Sequence, residues 1–304
     1  MAQLAGVRHT YMDTTRREDL MDEIMDISPD ANYLTTTLSS VDVSQTLHEW
    51  TELYISRDSS NDKTVEGDEN TYSDLTQPTK RNNIAQIIKK PFSVSETDIA
   101  VSKVSPKDAY AREMTIAMRR WKNSAEYAVI RGTKASGSSG VARETEGFIN
   151  ATINNGGLNT AVASGTSLTE DFFNGQHQNS YNATDSFIVD LILVNGSLKR
   201  DLTKMTAGNT KNVDAQDKRL TNAIEIYETD FGITELRAHK DMPAGTMLGL
   251  RKELCRIGYL RRPKHKQMSQ TGDNMKGHVV GELLAQADSS RSHYVVSGLR
   301  AGLS

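Results

Sequence analysis

Two strand-like runs, Leu47 to Ile55 and Ile84 to Val101, flank a connection whose sizeable apolar residues between Arg57 and Lys80 are Val65, Tyr72 and Leu75. The composition of the runs predicts a two-stranded antiparallel ribbon with a long polar tip. A connection of roughly two dozen residues without packing of its own is rare inside a compact domain. A lone two-stranded ribbon is also marginal in water unless something covers it. The covering surface need not belong to the same molecule. An arm that cannot stabilise itself predicts assembly into a larger object.

The chain of 304 residues is long enough to bury a sizeable core, and it is expected to form two intertwined lobes. Hydrophobic residues make up 37% and the mean hydropathy is −0.54, which predicts a polar surface. No stretch approaches the ~20 consecutive apolar residues of a membrane helix. Met1 to Leu4 lacks the basic flank and apolar core of a secretory signal, so the Asn-x-Ser/Thr triplets at Asn150, Asn182 and Asn195 are read as chance. The single cysteine, Cys255, excludes an internal disulfide and is read as a small buried side chain. A net charge of −3 argues against a dedicated nucleic-acid binder. Of the two basic clusters, Arg119 to Lys122 is read as a solvated helix face. Arg261 to Lys266 is read as a contact for an acidic neighbouring subunit, with phosphate as the alternative.

Along the chain, Met1 to Val41 reads as an extended arm with one short helix. Thr15 and Glu18 form a capping box there, followed by Leu20, Ile24 and Met25 on one face. The strongest helix prediction runs from Pro106 to Arg131, with Ser105 as N-cap, Asp108 in the first turn and Gly132 as the stop. Tyr110, Met114, Ala117 with Met118, Trp121, Ala125 and Ala128 with Val129 mark its buried stripe. Such a helix is long for a globular domain and reads as a spine. Thr133 to Ala163 reads as loops with short strands, and Ser167 to Glu170 as a capping box opening a short helix through Phe173. Phe187 to Val194 reads as a buried strand. A helix carrying Leu198, Leu202 and Met205 follows, stopped by Gly208. Ala223 to Met242 reads as a hairpin turning at Asp230 to Gly232, and Val279–Leu284 and His293–Val296 as strands. Helices and strands mix without steady alternation, so the predicted class is α+β.

Catalytic signals are weak. Gly132 and Gly137 have phosphate-loop spacing, but Ser138 and Ser139 stand where lysine and a hydroxyl residue are needed. The seven histidines are dispersed without metal-ligand spacing, and His48 and Glu49 point to opposite faces of a strand. Glu66, Asp68 and Glu69 lack the alternation of a calcium loop. They read as a solvated acidic loop, or as one that pairs with Arg or Lys on another subunit. The expectation is no catalytic residue, no cofactor and no metal.

The order of elements, together with Arg17 to Leu20, Asp26 to Pro29, Leu47 to Trp50, Val65 to Asp68, Tyr227 to Gly232 and Gln270 to Asp273, resembles tailed-phage and prophage major capsid (major head) proteins of the Hong-Kong-ninety-seven type. The resemblance covers nearly the whole chain. It implies an N-terminal arm (1–43), an extended ribbon loop (44–102), a peripheral domain with the spine helix (103–132 and 222–304) and an axial domain (133–221). The function it implies is structural: self-assembly into hexamers and pentamers of an icosahedral shell enclosing double-stranded DNA without sequence-specific binding. The expected contact residues on the ribbon are Trp50, Glu66, Asp68 and Arg81. Further implied partners are scaffolding, portal and decoration proteins, with no membrane; the implied location is the virion, assembled in the host cytoplasm. The arm is too short for a built-in scaffolding domain, so a separate scaffold or the arm itself is expected to guide assembly. The alternatives are an encapsulin-like compartment enclosing cargo enzymes and, from another class, a soluble hydrolase or nuclease.

Overall fold

The chain enters its first sheet through a five-residue helix, α1 (Tyr33–Thr37), and a short strand, β1 (Ser39–Asp42). The computed structural model describes residues 32–54, 63, 65–69, 77–101, 109–183, 187–205 and 226–300. The capping box at Thr15, the helix start at Ser105 and Pro106, the stop at Gly208 and most of the ribbon tip lie outside the described residues.

The ribbon forms, but with a different second strand. β2 (Leu47–Glu52) pairs antiparallel with β3 (Thr79–Ile84), setting Leu47 opposite Ile84 and Trp50 opposite Arg81. Of the expected run from Ile84 to Val101, only Ile84 belongs to the ribbon. β4 (Gln86–Ser95) leaves to pair in another sheet, and α2 (Glu96–Ala100) ends the run as a helix. Ser95 caps α2, its Oγ accepting from Asp98 N at 3.1 Å, with Glu96 and Asp98 at the positive end. β3 reads as part of the tip because its sequence is polar. Its polar residues are satisfied rather than solvated: buried Asn83 donates to the carbonyls of Glu146 (2.9 Å) and Ala285 (2.5 Å) and accepts from Glu146 N (2.8 Å) and Ile84 N (2.7 Å).

α3 (Ala109–Arg131) is the predicted spine. Ala117, Trp121, Ala125, Ala128 and Val129 are buried on the expected stripe, and Trp121 Nε1 donates to Ile88 O at 3.0 Å. Gly132 does follow the last turn, for a packing reason. A Cβ there would lie 2.2 Å from Thr145 O, and one on Gly147 would lie 2.6 Å from Gly132 N, so two glycines let these backbones cross.

Beyond the spine, a turn bridged at Ala135–Glu144 and Ser138–Val141 occupies the Gly132–Gly137 segment. The region expected as loops and strands contains α4 (Phe148–Asn154), whose Phe148 and Ile149 are buried, before β5 (Leu158–Thr166). α5 (Glu170–Asn182) is longer than expected and is capped by Thr169, not Ser167; Thr169 Oγ1 accepts from Phe172 N at 3.2 Å. Only the second half of Phe187 to Val194 is strand, β6 (Leu191–Val194). α6 (Gly196–Met205) is capped by Asn195, whose Oδ1 accepts from Leu198 N at 2.9 Å. The hairpin is β7 (Ile226–Thr229) with β8 (Gly232–Ala238). β9 (Met247–Leu250) and the 14-residue β10 (Cys255–Met268) are strands the sequence reading missed. β11 (Asn274–Ala287) and β12 (Tyr294–Leu299) extend the two strands expected last.

The strands form two sheets besides the ribbon. One has the order β1-β10-β11-β4 and carries α3 on one face; the other has the order β5-β12-β9-β6-β8-β7. The second sheet draws strands from both sides of residue 221. Leu191, Leu193, Leu248, Leu250 and Val295 share a core with the spine, while Ile192, Val194, Met247, Tyr294 and Val296 pack with Phe173, Leu198 and Leu202. Alternate residues of one strand thus enter two cores, which is why Leu191 to Val194 is apolar without a break. The class is α+β, as expected.

Candidate intersubunit surface

The root of the ribbon is tied to its own chain by directional polar bonds. Glu52, 4% exposed, accepts from Arg81 Nε at 3.1 Å and from the Tyr54 hydroxyl at 2.6 Å. Arg81 also donates to Asn155, through Nη2 to the carbonyl at 2.8 Å and Nη1 to Oδ1 at 3.3 Å. The Arg291 guanidinium lies 4.3 Å from the Tyr54 ring centre. Burial, and then the Glu52 carboxylate, push the Tyr54 phenol above its ordinary range, so it stays a neutral donor. His48 Nε2 lies 3.1 Å from Gln286 Oε1.

The four expected contact residues separate into two groups. Trp50 and Arg81 are cross-strand neighbours at the root. Trp50 is half-buried beside the His48 ring at 5.8 Å, and its indole N–H has no hydrogen-bond partner among the described residues. Glu66 and Asp68 sit on an exposed turn farther along the ribbon, closed by Asp68 N donating to Val65 O at 3.0 Å and by Gly67 at φ +87°. Glu69 N donates to Asp68 Oδ1 at 3.0 Å. Among the described residues, no cation pairs with Glu66, Asp68 or Glu69. Val65 beside them is 77% exposed. Arg81 is spoken for within the subunit; the turn is not.

A second anchor holds the segment that precedes the ribbon. Glu126, at 0% exposure on α3, accepts from Leu34 N at 2.6 Å and Thr35 N at 2.8 Å, with His239 Nε2 at 3.2 Å. A carboxylate from the spine therefore caps α1. Next to it the Tyr33 hydroxyl donates to Glu235 at 3.0 Å, the Arg237 guanidinium covers the Tyr33 ring at 4.5 Å, and Lys252 pairs with Glu235. Burial works to raise the Glu235 carboxyl, but hydrogen bonds from Lys252, Arg237 and Tyr33 outweigh it and hold it down at about 2. Sequence reasoning missed Glu126. The signal was present, since a glutamate next to Ala125 on the buried face of a helix needs a partner.

Reactive side chains lie elsewhere and lie deep. Cys255 is fully buried, 3.5 Å from His293 Nε2, and burial pushes its thiol well up. Burial holds His293 down at about 4, and does the same to His177. An open, shallow depression of about 560 Å³ lies between β4 and the spine. Among the described residues no group of three or more His, Cys, Asp or Glu side chains is placed to hold a metal. What this arrangement offers is broad, partly polar contact area around a firmly rooted ribbon.

A family model described as SU10 major capsid protein matches residues 7–300. No curated protein sequence matches. Among solved structures, the fold is similar to a chain of the cyanophage A-1(L) capsid asymmetric unit, at 14% identity and a TM-score of 0.68, over 96% of this chain and 98% of that one. It is similar to the capsid of the native GTA particle at 11% identity and a TM-score of 0.67, over 95% and 97%. The holo-SrpI encapsulin complex from Synechococcus elongatus PCC 7942 is similar at 10% identity and a TM-score of 0.64, over 98% and 97%.

Proposed function

The chain belongs to the SU10 major capsid protein family, and from that premise we propose how its surface features build a shell. Its fold is the Hong-Kong-ninety-seven type, and its role is structural: copies associate into the capsomers of a virion shell. The finer reading is that these capsomers are hexamers and pentamers of an icosahedral container for double-stranded DNA, built in the host cytoplasm with scaffolding and portal proteins. Contacts of this kind close into rings when a head-to-tail interface repeats around an axis. In this reading the arm (1–43) and the ribbon loop (44–102) tie one subunit to the next. Residues 133–221 face the symmetry axes, and the spine with 222–304 forms the periphery. Trp50, Glu66 and Asp68 meet the neighbour. Arg81 serves the same contact from behind, by fixing the direction in which the ribbon leaves.

One observation supports this reading most: a ribbon bonded into its own chain at the root carries an exposed acidic turn that pairs with no cation among the described residues. Deleting Asp58 to Thr76 leaves the root intact. The truncated subunit is expected to keep its circular dichroism spectrum while negative-stain microscopy finds no closed shells. Loss of the fold, or shells at wild-type yield, defeats the assignment of the ribbon. The encapsulin-like alternative shares the fold and is separated by cargo. Nuclease-protected DNA inside the particle supports the viral shell, and a bound enzyme with a docking peptide supports the compartment.

A further inference from the structure

The β1-β10-β11-β4 sheet buries one face under the spine; the opposite face is covered around Leu284 by Val43 and Ala85 but is exposed at its other end, around Lys89, Lys264 and Lys266, and that end is basic. Registers place Lys264 beside Val280 and Val280 beside Lys89, and in the next row Lys266 beside His278. Lys276 follows one row on, opposite Met268. Gly277, Gly281 and His265 contact the spine side or its aromatic residues, so the alternate residues Lys264, Lys266, Lys276 and His278 point away from it. With strands about 4.8 Å apart and a rise of about 3.3 Å per residue, five cationic or titratable groups fall within a field of roughly 10 Å across three strands and about 13 Å along them. None of these lysines pairs with a carboxylate among the described residues, and Lys276 is bonded only to the Thr271 hydroxyl. His278 Nδ1 is covered yet has no hydrogen-bond partner. Burial first, and then Lys89, Lys266 and His265, hold the His278 ring below its ordinary range, an environment short of negative charge. A shallow depression of about 340 Å³ lies over this face.

We propose that this face receives the acidic turn of residues 66–69 from a second copy of the chain. The inference rests on the shell reading above and names the receiving surface. The turn supplies three exposed carboxylates within four residues, and the sheet supplies cations over a comparable span, none of them paired among the described residues. Within one subunit both stay solvent-exposed, so neither satisfies the other. Copies of one chain bring the two in equal number. The basic field is also bounded on one side. Beyond Lys276, Glu96 and Asp273 stand bonded only to the neutral side chains of Gln270 and Thr97 among the described contacts, while at the other end the buried Glu282 is held by Arg143 and Arg261. A continuous polyphosphate running on past Lys276 would meet those two acids, whereas a four-residue turn stops short of them. Contacts between exposed charges of this kind are screened beyond about 10 Å at 0.1 M salt, so assembly through them weakens as salt rises.

Charge reversal tests the pairing. The variants are K264E/K266E on the sheet, E66K/D68K/E69K on the turn, and all five together; the altered side chains are exposed, and circular dichroism checks that each subunit folds. Each reversal alone is expected to lower shell yield at about 0.1 M salt at least tenfold, and the combined variant to recover most of it. Wild-type yield from either single reversal overturns the proposal, as does a combined variant no better than its parents. Normal shells that lose their DNA only in K264E/K266E would assign the face to the polyanion and also overturn it. If the wild-type chain forms no shell under any salt condition, the shell reading itself fails, and the difference is visible before any variant is made.

Discussion

Glu126 is the point at which the spine holds the chain segment leading into the ribbon, and its removal has a calculable cost. The side chain is fully buried and accepts two backbone N–H groups, at 2.6 and 2.8 Å. A hydrogen bond to a charged group contributes roughly 1.5–3 kcal/mol, and an orphaned buried donor costs about 1–3 kcal/mol. Glu126→Ala strands both donors and is expected to lose about 3–5 kcal/mol. Glu126→Gln keeps one acceptor oxygen and presents a donor to the second N–H, so about half that loss is expected. For 304 residues, unfolding entropy of ~2.1 cal/mol/K per residue turns a loss of 4 kcal/mol into a drop of roughly 6 °C in melting temperature. The global melt reads total stability, and chymotryptic cleavage at Tyr33 and Leu34 reads the segment itself. If α1 opens locally, each 1.4 kcal/mol lost accelerates cleavage about tenfold. Glu126→Ala melting and cleaving like wild type would refute the clamp. A Gln variant as damaged as the Ala variant would show that shape, not acceptor count, sets the cost.

The spine and the buried histidines give two further expectations. Trp121 is 2% exposed and bonded to Ile88 O, so Trp121→Ala should cost about 3–5 kcal/mol in a urea melt of the unassembled subunit; an unchanged midpoint removes the stripe from the core. His177 and His293 are held at about 4 against an ordinary 6.5, so the unfolded chain binds more protons between those values. Stability is expected to fall as pH drops from about 6.5 to 4, by up to ~3 kcal/mol for each group. A second loss, about 1 kcal/mol after solvent screening, follows as pH falls from about 4.5 toward 2 and Glu235 is protonated out of its cationic cluster. Melting temperatures that stay flat from pH 7 to 4 contradict the burial of both rings.

Periodicity carried the spine, because Ala117, Trp121, Ala125 and Val129 recur at the spacing a single buried face demands. The hairpin at Asp230 and the strand at Leu191 were legible for similar local reasons. The ribbon was legible in outline but not in register. Thr79 to Asn83 carries no apolar alternation, and its strand pairing is secured by Asn83 and Arg81 bonding to residues far away in sequence. β10 was hidden differently: Arg261 to Lys266 looks like a charge cluster until the register with β11 shows alternate residues dividing between the spine and the open face. The acidic turn and the basic cluster were each visible along the chain. Their relation to one another was not, since nothing local says which face of a sheet a lysine occupies.

The polar root also explains why Arg81 is better suited to aiming the ribbon than to touching a neighbour. Apolar burial is non-directional and fixes how much surface is covered, but not the angle at which a strand pair departs. Hydrogen bonds weaken steeply when bent, so a guanidinium shared among Glu52 Oε2, Asn155 O and Asn155 Oδ1 fixes an orientation. Asn83, with both amide edges satisfied, does the same two residues farther along β3. A ribbon that must place a short acidic turn on a field only about 10 Å wide needs that directional control, because a small error at the root grows along its length. Since Glu52 already pairs with Arg81, that guanidinium is held at the root, while Glu66, Asp68 and Glu69 stay exposed on the turn.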